Sequence, residues 1–324
     1  MIELPALLQM QLRQRLHLQA HSQWSSAARR LSERYRSPRD GTPLVQSALD
    51  ALAYSAMLLP ATYAQISGAL RMTVPLLAGQ TWHSLLDVGS GPGTALWAAH
   101  QHFPGLQRMT AVERDPHFIE LARHVCAPLP QTIHFQQADI CRSPAWEAHD
   151  VVIIGHVLNE LTSAQRAAVI AAAWQATRHL LIIVEPGTAE FFTNVITPMR
   201  TALIAAGAHV IAPCPHQQAC PMADPQWCHF GQKIARPDFQ RHARGVSIGW
   251  EEAKFSFVAA TRVAHPTPSA RLMHDPLPHK GGVTLPLCTA TGLAQVHVAK
   301  RDTLRFQRTR RLDWGDPWHD PAPE

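Results

Sequence analysis

Eleven residues, Ser84 to Thr94 (S-L-L-D-V-G-S-G-P-G-T), restrict the possible folds more than any other stretch. An apolar run through Leu85, Leu86 and Val88 ends in glycines at alternate positions, and a helix-compatible segment follows from Ala95 to His100. This reads as a strand, a tight loop and a helix N-terminus. Glycine suits a backbone that bends sharply and lies against a ligand, because it has no side chain to clear. The helix start presents free N–H groups and the positive end of its dipole to a polar or anionic group.

The residues after this loop alternate in period. Strands are predicted at Leu85–Val88, Met109–Val112, Ile133–Gln136, Val151–Ile154 and Leu180–Val184, with helices between them such as Pro116–Val125 and Ser163–Thr177. Interleaved strands and helices imply parallel βαβ units in a doubly wound α/β sheet, whose ligands bind at the carboxyl ends of the strands. The loop spacing is G-x-G-x-G, with Thr94 where a dinucleotide fingerprint has its third glycine. With Asp87 ahead of it, the pattern resembles the first motif of S-adenosylmethionine (SAM)-dependent methyltransferases, predicting a class I, Rossmann-like core. Asp87, Gly89, Ser90, Gly91 and Gly93 are the loop's cofactor candidates. Glu113 closes the second strand about 20 residues on, where a carboxylate accepts hydrogen bonds from ribose hydroxyls. Asp139, after the third strand, is placed to meet an adenine amino group. Taken singly, each acid also reads as an ordinary strand end.

In such a fold the residues after the fourth strand line the transfer site, and here they are Gly155-His156-Val157-Leu158-Asn159-Glu160-Leu161. The Asp/Asn-Pro-Pro-aromatic motif of amino-group methyltransferases is absent from this position, and no cysteine nucleophile stands there. His156, Asn159 and Glu160 are therefore the catalytic candidates, able to position or deprotonate a substrate. The alternative is that Asn159 and Glu160 cap the following helix.

Residues 1–80 read as a helical lid or platform. Leu4, Leu8, Leu12 and Leu16 recur at helical spacing, and Trp24, Ala27, Leu31 and Tyr35 continue the pattern. Ser37–Pro43 is rich in turn formers, and a second helix from Val45 is expected to stop at Pro60, with a further turn or two from Thr62 to Leu70. Residues 81–210 form the SAM-binding core. A helix over Phe191–Ala206 leads into residues 211–324, an irregular, basic extension predicted to contribute the last strands of the sheet at Phe255–Ala259, Gly282–Leu287 and Ala294–Ala299. The final DPWHDPAPE reads as frayed. No apolar run approaches the roughly 20 residues of a membrane helix. The N-terminus lacks a secretory signal, and its Arg-containing, acid-poor character leaves a cytosolic start and an organellar presequence both open.

The cysteines complete the pattern. Cys214, Cys220 and Cys228 are spaced C-x5-C-x7-C, and Cys288 follows in a strand-like L-P-L-C-T-A. Four thiolates make a full ligand set for a 4Fe–4S cluster or a structural zinc ion. The wide spacing and the prolines directly after Cys214 and Cys220 favour the cluster, while His216 and His229 keep zinc as the runner-up. The net charge of +5 matters through its distribution: residues 1–199 balance 14 Arg against 14 acids, whereas all four lysines lie beyond. Lys300, Arg301, Arg305, Arg308, Arg310 and Arg311 put six cations within 12 positions, opposed only by Asp302. Phosphate contacts of a nucleic acid would use them, with Phe306 and Trp314 available to stack on bases or pack inward; a solvated helix face is the alternative.

Together these segments resemble one family, the methyltransferase-like assembly factors of the mitochondrial small ribosomal subunit and their bacterial relatives. The resemblance runs through L-S-E-R-Y-R (31–36), L-P-A-T-Y-A (59–64), the glycine loop, V-E-P-G-T (184–188), A-P-C-P-H with W-C-H-F, L-C-T-A (287–290), V-A-K-R-D and W-G-D. It implies a SAM-binding fold with a 4Fe–4S cluster on the four cysteines, binding to small-subunit ribosomal RNA during assembly, and an N-terminal segment belonging to the mature protein. A monomer off the ribosome is expected, in the cytoplasm of a bacterium or the mitochondrial matrix of a eukaryote. Methyl transfer is not assured by membership, in keeping with the missing fourth-strand motif.

Overall fold

The computed structural model describes residues 1–36, 44–77, 79–142, 145–222 and 225–319, with backbone alone for 21, 22 and 34–36. The expected break at 37–43 lies outside the described residues, as does 320–324 of the end read as frayed; within 316–319, however, Pro317–Trp318 is a strand and Trp318 is buried.

Three N-terminal helices come first: α1 (Ala6–His17), α2 (His21–Arg36) and α3 (Ala48–Thr73). The leucine spacing places Leu8, Leu12 and Leu16 on the buried face of α1. Contrary to the expected stop, Pro60 lies inside α3. A helix-interior proline costs about 3 kcal/mol, but 19 of the 26 residues of α3 are buried. At about 1.5–3 kcal/mol for each large apolar side chain, burial of residues such as Leu59, Ile66 and Leu70 outweighs that cost. Ser47 caps the helix by accepting from the Asp50 N–H at 3.1 Å.

The core follows as β1 (Ser84–Val88), α4 (Thr94–His102), β2 (Arg108–Glu113), α5 (Pro116–Val125), β3 (Thr132–Gln137), β4 (His149–Gly155), α6 (Ser163–Gln175) and β5 (Thr177–Pro186). Helix α6 ends two residues earlier than expected, and Thr177 opens the strand instead. After a short α7 (Ala189–Phe191), a single π turn over Phe192–Ile196 runs into α8 (Thr197–Ala205). The main sheet is completed by β6 (His209–Ala212), β7 (Phe230–Ala235) and β8 (Trp250–Thr261), with α9 (Asp238–Arg244) between the last two. Its order is β3-β2-β1-β4-β5-β8-β6, and β7 also pairs with β8. The first five strands are parallel and β8 is antiparallel to its neighbours. This is the Rossmann-like class I methyltransferase sheet. Its switch point is at β1, between β2 and β4.

One apolar core lies between the sheet and α1–α5, and a second lies under α6 and α8. A separate five-stranded antiparallel sheet, with a core of its own, is formed by β9 (Ala270–Leu272), β10 (Leu277–His279), β11 (Gly282–Thr289), β12 (Gly292–Ala299) and β13 (Pro317–Trp318). Helix α10 (Thr303–Thr309) packs on its β11–β12 hairpin. The strands beyond residue 211 thus divide between two sheets. Among the described residues no helix is long and apolar enough to cross a membrane.

Candidate functional site

The glycine loop lies at the carboxyl end of β1, as its sequence requires. The Gly89 and Ser90 N–H groups both donate to the Val112 carbonyl, at 2.9 and 3.0 Å, tying the loop to β2. A Cβ at Gly89 would stand 2.8 Å from Val157, and one at Gly93 would stand 2.6 Å from Cys126 Sγ. These two glycines let the loop lie against its neighbours. Gly91, at φ +51°, would point a Cβ into open space.

Glu113 holds this loop. One carboxylate oxygen accepts from the Gly91 N–H at 2.8 Å, and the other accepts from the Arg114 and Asp115 N–H groups at 2.8 and 2.9 Å. Burial nevertheless raises its pKa above the usual carboxylate range. Asp87 is 1 % exposed, and its Oδ2 has no partner. Burial, then repulsion from Glu113, pushes it up to about 8. Asp139 lies across the same cavity and accepts from the Cys141 N–H at 2.9 Å, with Arg142 3.5 Å away. Ser90 is buried there with an unpartnered hydroxyl. The cavity therefore brings Asp87, Gly89, Ser90, Gly91, Glu113 and Asp139 together. Tyr54, Leu59, Thr62 and Ile66 of α3 wall its far side, a contribution the sequence could not locate before α3 was placed.

The three residues after β4 separate in role. Among the described residues His156 alone of the non-glycines has a left-handed backbone, at φ +61°. It lines the cavity, its Nε2 is shut off without a partner, and burial lowers its pKa to about 4. The ring is therefore neutral at pH 7. Asn159 is turned to β5, donating to Glu185 at 2.7 Å and to the His156 carbonyl at 3.1 Å. Glu185 also accepts from the Leu158 N–H at 3.0 Å, and burial pushes it up to about 7. Glu160 lines the rim, 3.9 Å from Arg114. Neither Asn159 nor Glu160 caps α6: Thr162 and Gln165 do, as a reciprocal capping box. That signal was legible as T-x-x-Q.

A second cavity lies at the outer edge of β8. The chain between β6 and β7 runs along the part of that edge which neither strand covers, and Ser256 fixes it by donating to the Cys228 carbonyl at 2.7 Å. Cys214, Cys220 and Cys228 from this segment and Cys288 from β11 all line the one cavity, against Phe192, Ile196 and Phe257. All four are free thiols. Burial and then mutual repulsion raise Cys228 and Cys288, the latter to about 12. His216 Nε2 is 3.6 Å from Cys288 Sγ, while its Nδ1 is buried without a partner. His229 instead packs between Trp227 and Trp314. Among the described residues no group of three or more His, Cys, Asp or Glu side chains is set to hold a metal ion.

The basic stretch flanks and forms α10, capped by Asp302. Lys300, Arg301, Arg308, Arg310 and Arg311 are exposed, whereas Arg305 is half-buried with its guanidinium 6.0 Å from the Trp318 ring centre. Phe306 packs on the small sheet's core and Trp314 on the main one, so of the two uses open to these rings both take the inward one.

Comparison with known proteins adds three findings. The family model described as "Mitochondrial small ribosomal subunit Rsm22" matches residues 48–319. Among curated proteins, the human "Ribosome assembly protein METTL17, mitochondrial" is 30% identical over 292 residues, spanning 82% of this chain and 61% of that protein. The "Rsm22-cox11 tandem protein 2, mitochondrial" of Schizosaccharomyces pombe is 22% identical over 321 residues, 82% of this chain and 42% of that one. The chain thus spans less than two thirds of either relative's length. Among solved structures, an O-methyltransferase family protein from Burkholderia thailandensis aligns at a TM-score of 0.46 and 15% identity, covering 78% of this chain and 72% of that one.

Proposed function

The chain belongs to the mitochondrial small ribosomal subunit Rsm22 family, and on that footing we propose that it is a SAM-binding, iron–sulfur RNA-binding factor of small-subunit ribosome assembly. The observation that carries this reading is the meeting of four cysteines, drawn from two distant parts of the chain, around one cavity. A SAM pocket alone would describe many enzymes; the second site narrows the reading.

In the first cavity Glu113 would accept from ribose hydroxyls, Asp139 would meet the adenine edge, and Asp87 would receive the cationic methionine end that its orphaned oxygen lacks. Bound SAM supplies an electrophilic methyl group. Of the three acceptor-side candidates, His156 is too weak a base at a pKa of about 4, Asn159 is engaged by Glu185, and Glu160 stands at the rim paired with Arg114 at 3.9 Å. We therefore read SAM as a structural and regulatory ligand and the RNA grip as the activity.

In the second cavity Cys214, Cys220, Cys228 and Cys288 would hold a 4Fe–4S cluster. Zinc draws four ligands to one point at about 2.3 Å from each sulfur. A cluster takes its thiolates on separate irons, and the wide C-x5-C-x7-C spacing, with no short knuckle, favours it. The exposed cations around α10 would meet ribosomal RNA phosphates. The two curated relatives are named as mitochondrial, which supports the mitochondrial matrix as the site of action, or the cytoplasm for a bacterial source.

Two measurements test this. Protein purified without oxygen should be brown, with iron near four per chain and absorbance near about 400 nm; colourless protein with one zinc would refute the cluster. A strain lacking the protein should regain small-subunit assembly with the wild type. If a Gly91→Arg variant loses SAM binding and impairs assembly while the subunits that do form keep every rRNA methyl mark, SAM acts as a structural ligand, whereas a mark missing from subunits that still assemble would make the protein an rRNA methyltransferase.

A further inference from the structure

Two arginines that no motif singled out are buried beside the cysteines, Arg200 in the cavity lining and Arg271 opposite Cys288. Arg200, on α8, is 4 % exposed. Its Nε donates to Cys214 Sγ at 3.2 Å and its Nη2 to the His216 carbonyl at 2.9 Å. Arg271, on β9, is 1 % exposed and stands directly across the ladder from Cys288. Its Nε donates to the Pro213 carbonyl and its Nη1 to the Gly315 carbonyl at 2.7 Å, while its Nη2 is buried without a partner. Among the described residues neither guanidinium has a carboxylate within 4 Å. Asp316 acts on Arg271 from farther off, and it is itself paired with Arg71 at 3.5 Å.

Guanidinium groups do not lose their proton in proteins. Two of them buried beside the cysteines, with no carboxylate within 4 Å among the described residues, would leave two charges uncompensated, a cost of several kcal/mol each. An anion must complete the site. A cluster held by four thiolates carries a net charge of about −2 in its oxidised form, which matches the two cations in number and in place. We propose that Arg200 and Arg271 are the counter-cations of the four-cysteine site: they retain the bound cluster and raise its reduction potential. The proposal rests on the iron–sulfur reading above.

The sign follows from charge. One-electron reduction adds a negative charge to the site, and a nearby cation favours the more negative state. Removing either cation should lower the potential. The bonds from Arg200 to Cys214 Sγ and from Arg271 to Pro213, next to Cys214, add a positional effect on the ligand, because hydrogen bonds to sulfur tune such sites.

The experiment compares wild type with Arg200→Gln, Arg271→Gln, Arg200→Lys and Arg271→Lys, all purified anaerobically. The readouts are iron per chain, visible absorbance and midpoint potential by dithionite titration followed by electron paramagnetic resonance. Each glutamine variant should lose iron several-fold faster to a chelator and show a lower potential, each tenfold fall in the reduced-to-oxidised ratio being about 59 mV for one electron. Lysine should recover most of the potential. Glutamine variants with wild-type iron retention and potential would overturn the role of the arginines while leaving the cluster in place. A wild type without iron would instead overturn the cluster reading, and is seen before any variant is made. Should Arg271→Gln fail to fold by circular dichroism, the Arg200 pair decides, since that side chain bridges only Cys214 and His216.

Discussion

Asp87 is the unsatisfied acid of the glycine-loop cavity: buried, one oxygen unpartnered, and repelled by Glu113. Its raised pKa is a statement about stability. Folded, it keeps its proton up to about pH 8, whereas the unfolded chain gives it up near 3.8. The stability it contributes is complete below pH 3.8 and is lost as pH rises to 8. Glu185, raised to about 7, acts in the same direction, while His102 and His156, lowered to about 4, act oppositely below 6.5. The cleanest window is therefore pH 6.5 to 8. There the ligand-free protein should lose on the order of 1–2 kcal/mol through Asp87, and Asp87→Asn should remove most of that loss in thermal melts at the two pH values. An equal fall in both proteins would refute the assignment. Glu113 was legible as a strand-end acid, but not its work: three backbone N–H groups depend on it. Glu113→Ala should weaken SAM binding by more than tenfold in calorimetry, through the loop as well as the ribose. Unchanged affinity would remove both roles.

At the scale of elements, the alternation of strands and helices was readable because each amphipathic period is local. The strand β1, the loop and the start of α4 follow from eleven residues. At two places tertiary burial modifies what a local rule would give. Pro60 breaks helices in isolation, yet α3 runs through it because its neighbours on both sides are buried. Likewise Arg305, one of six cations in a basic run, is drawn in against Trp318. The remaining cations around α10 make a specific expectation. Arg308, Arg310 and Arg311 changed together to Glu should lower RNA affinity and reduce the slope of log affinity against log salt by about one for each phosphate no longer neutralised. Filter binding at several salt concentrations measures this, and an unchanged slope would free the helix of an RNA role.

Across the whole molecule, the main sheet and the small sheet have separate apolar cores and meet at the cysteine cavity. Three of the four thiols belong to the edge of the main sheet and the fourth to the small one. A cluster there would act as a clamp between them. Cys288→Ser should therefore abolish the colour, leave the SAM site able to bind, and expose residues 213–229 and 262–269 to protease. A variant as protease-resistant as wild type would show that the small sheet docks without the clamp.

The sequence by itself determined the class of sheet and the place of the glycine loop, and it singled out the four cysteines that share a cavity, because glycine spacing, hydrophobic period and residue type are properties of short segments. Only the tertiary structure decided what surrounds them. It turned Asn159 to Glu185, brought α3 over the cavity, and buried Arg200 and Arg271 beside the thiols. Such partners are tens of residues apart in the chain, and nothing in local periodicity records which of them will be taken out of water together. The glycine loop could be found from its own residues; the charge balance of the cysteine site exists only where two sheets meet.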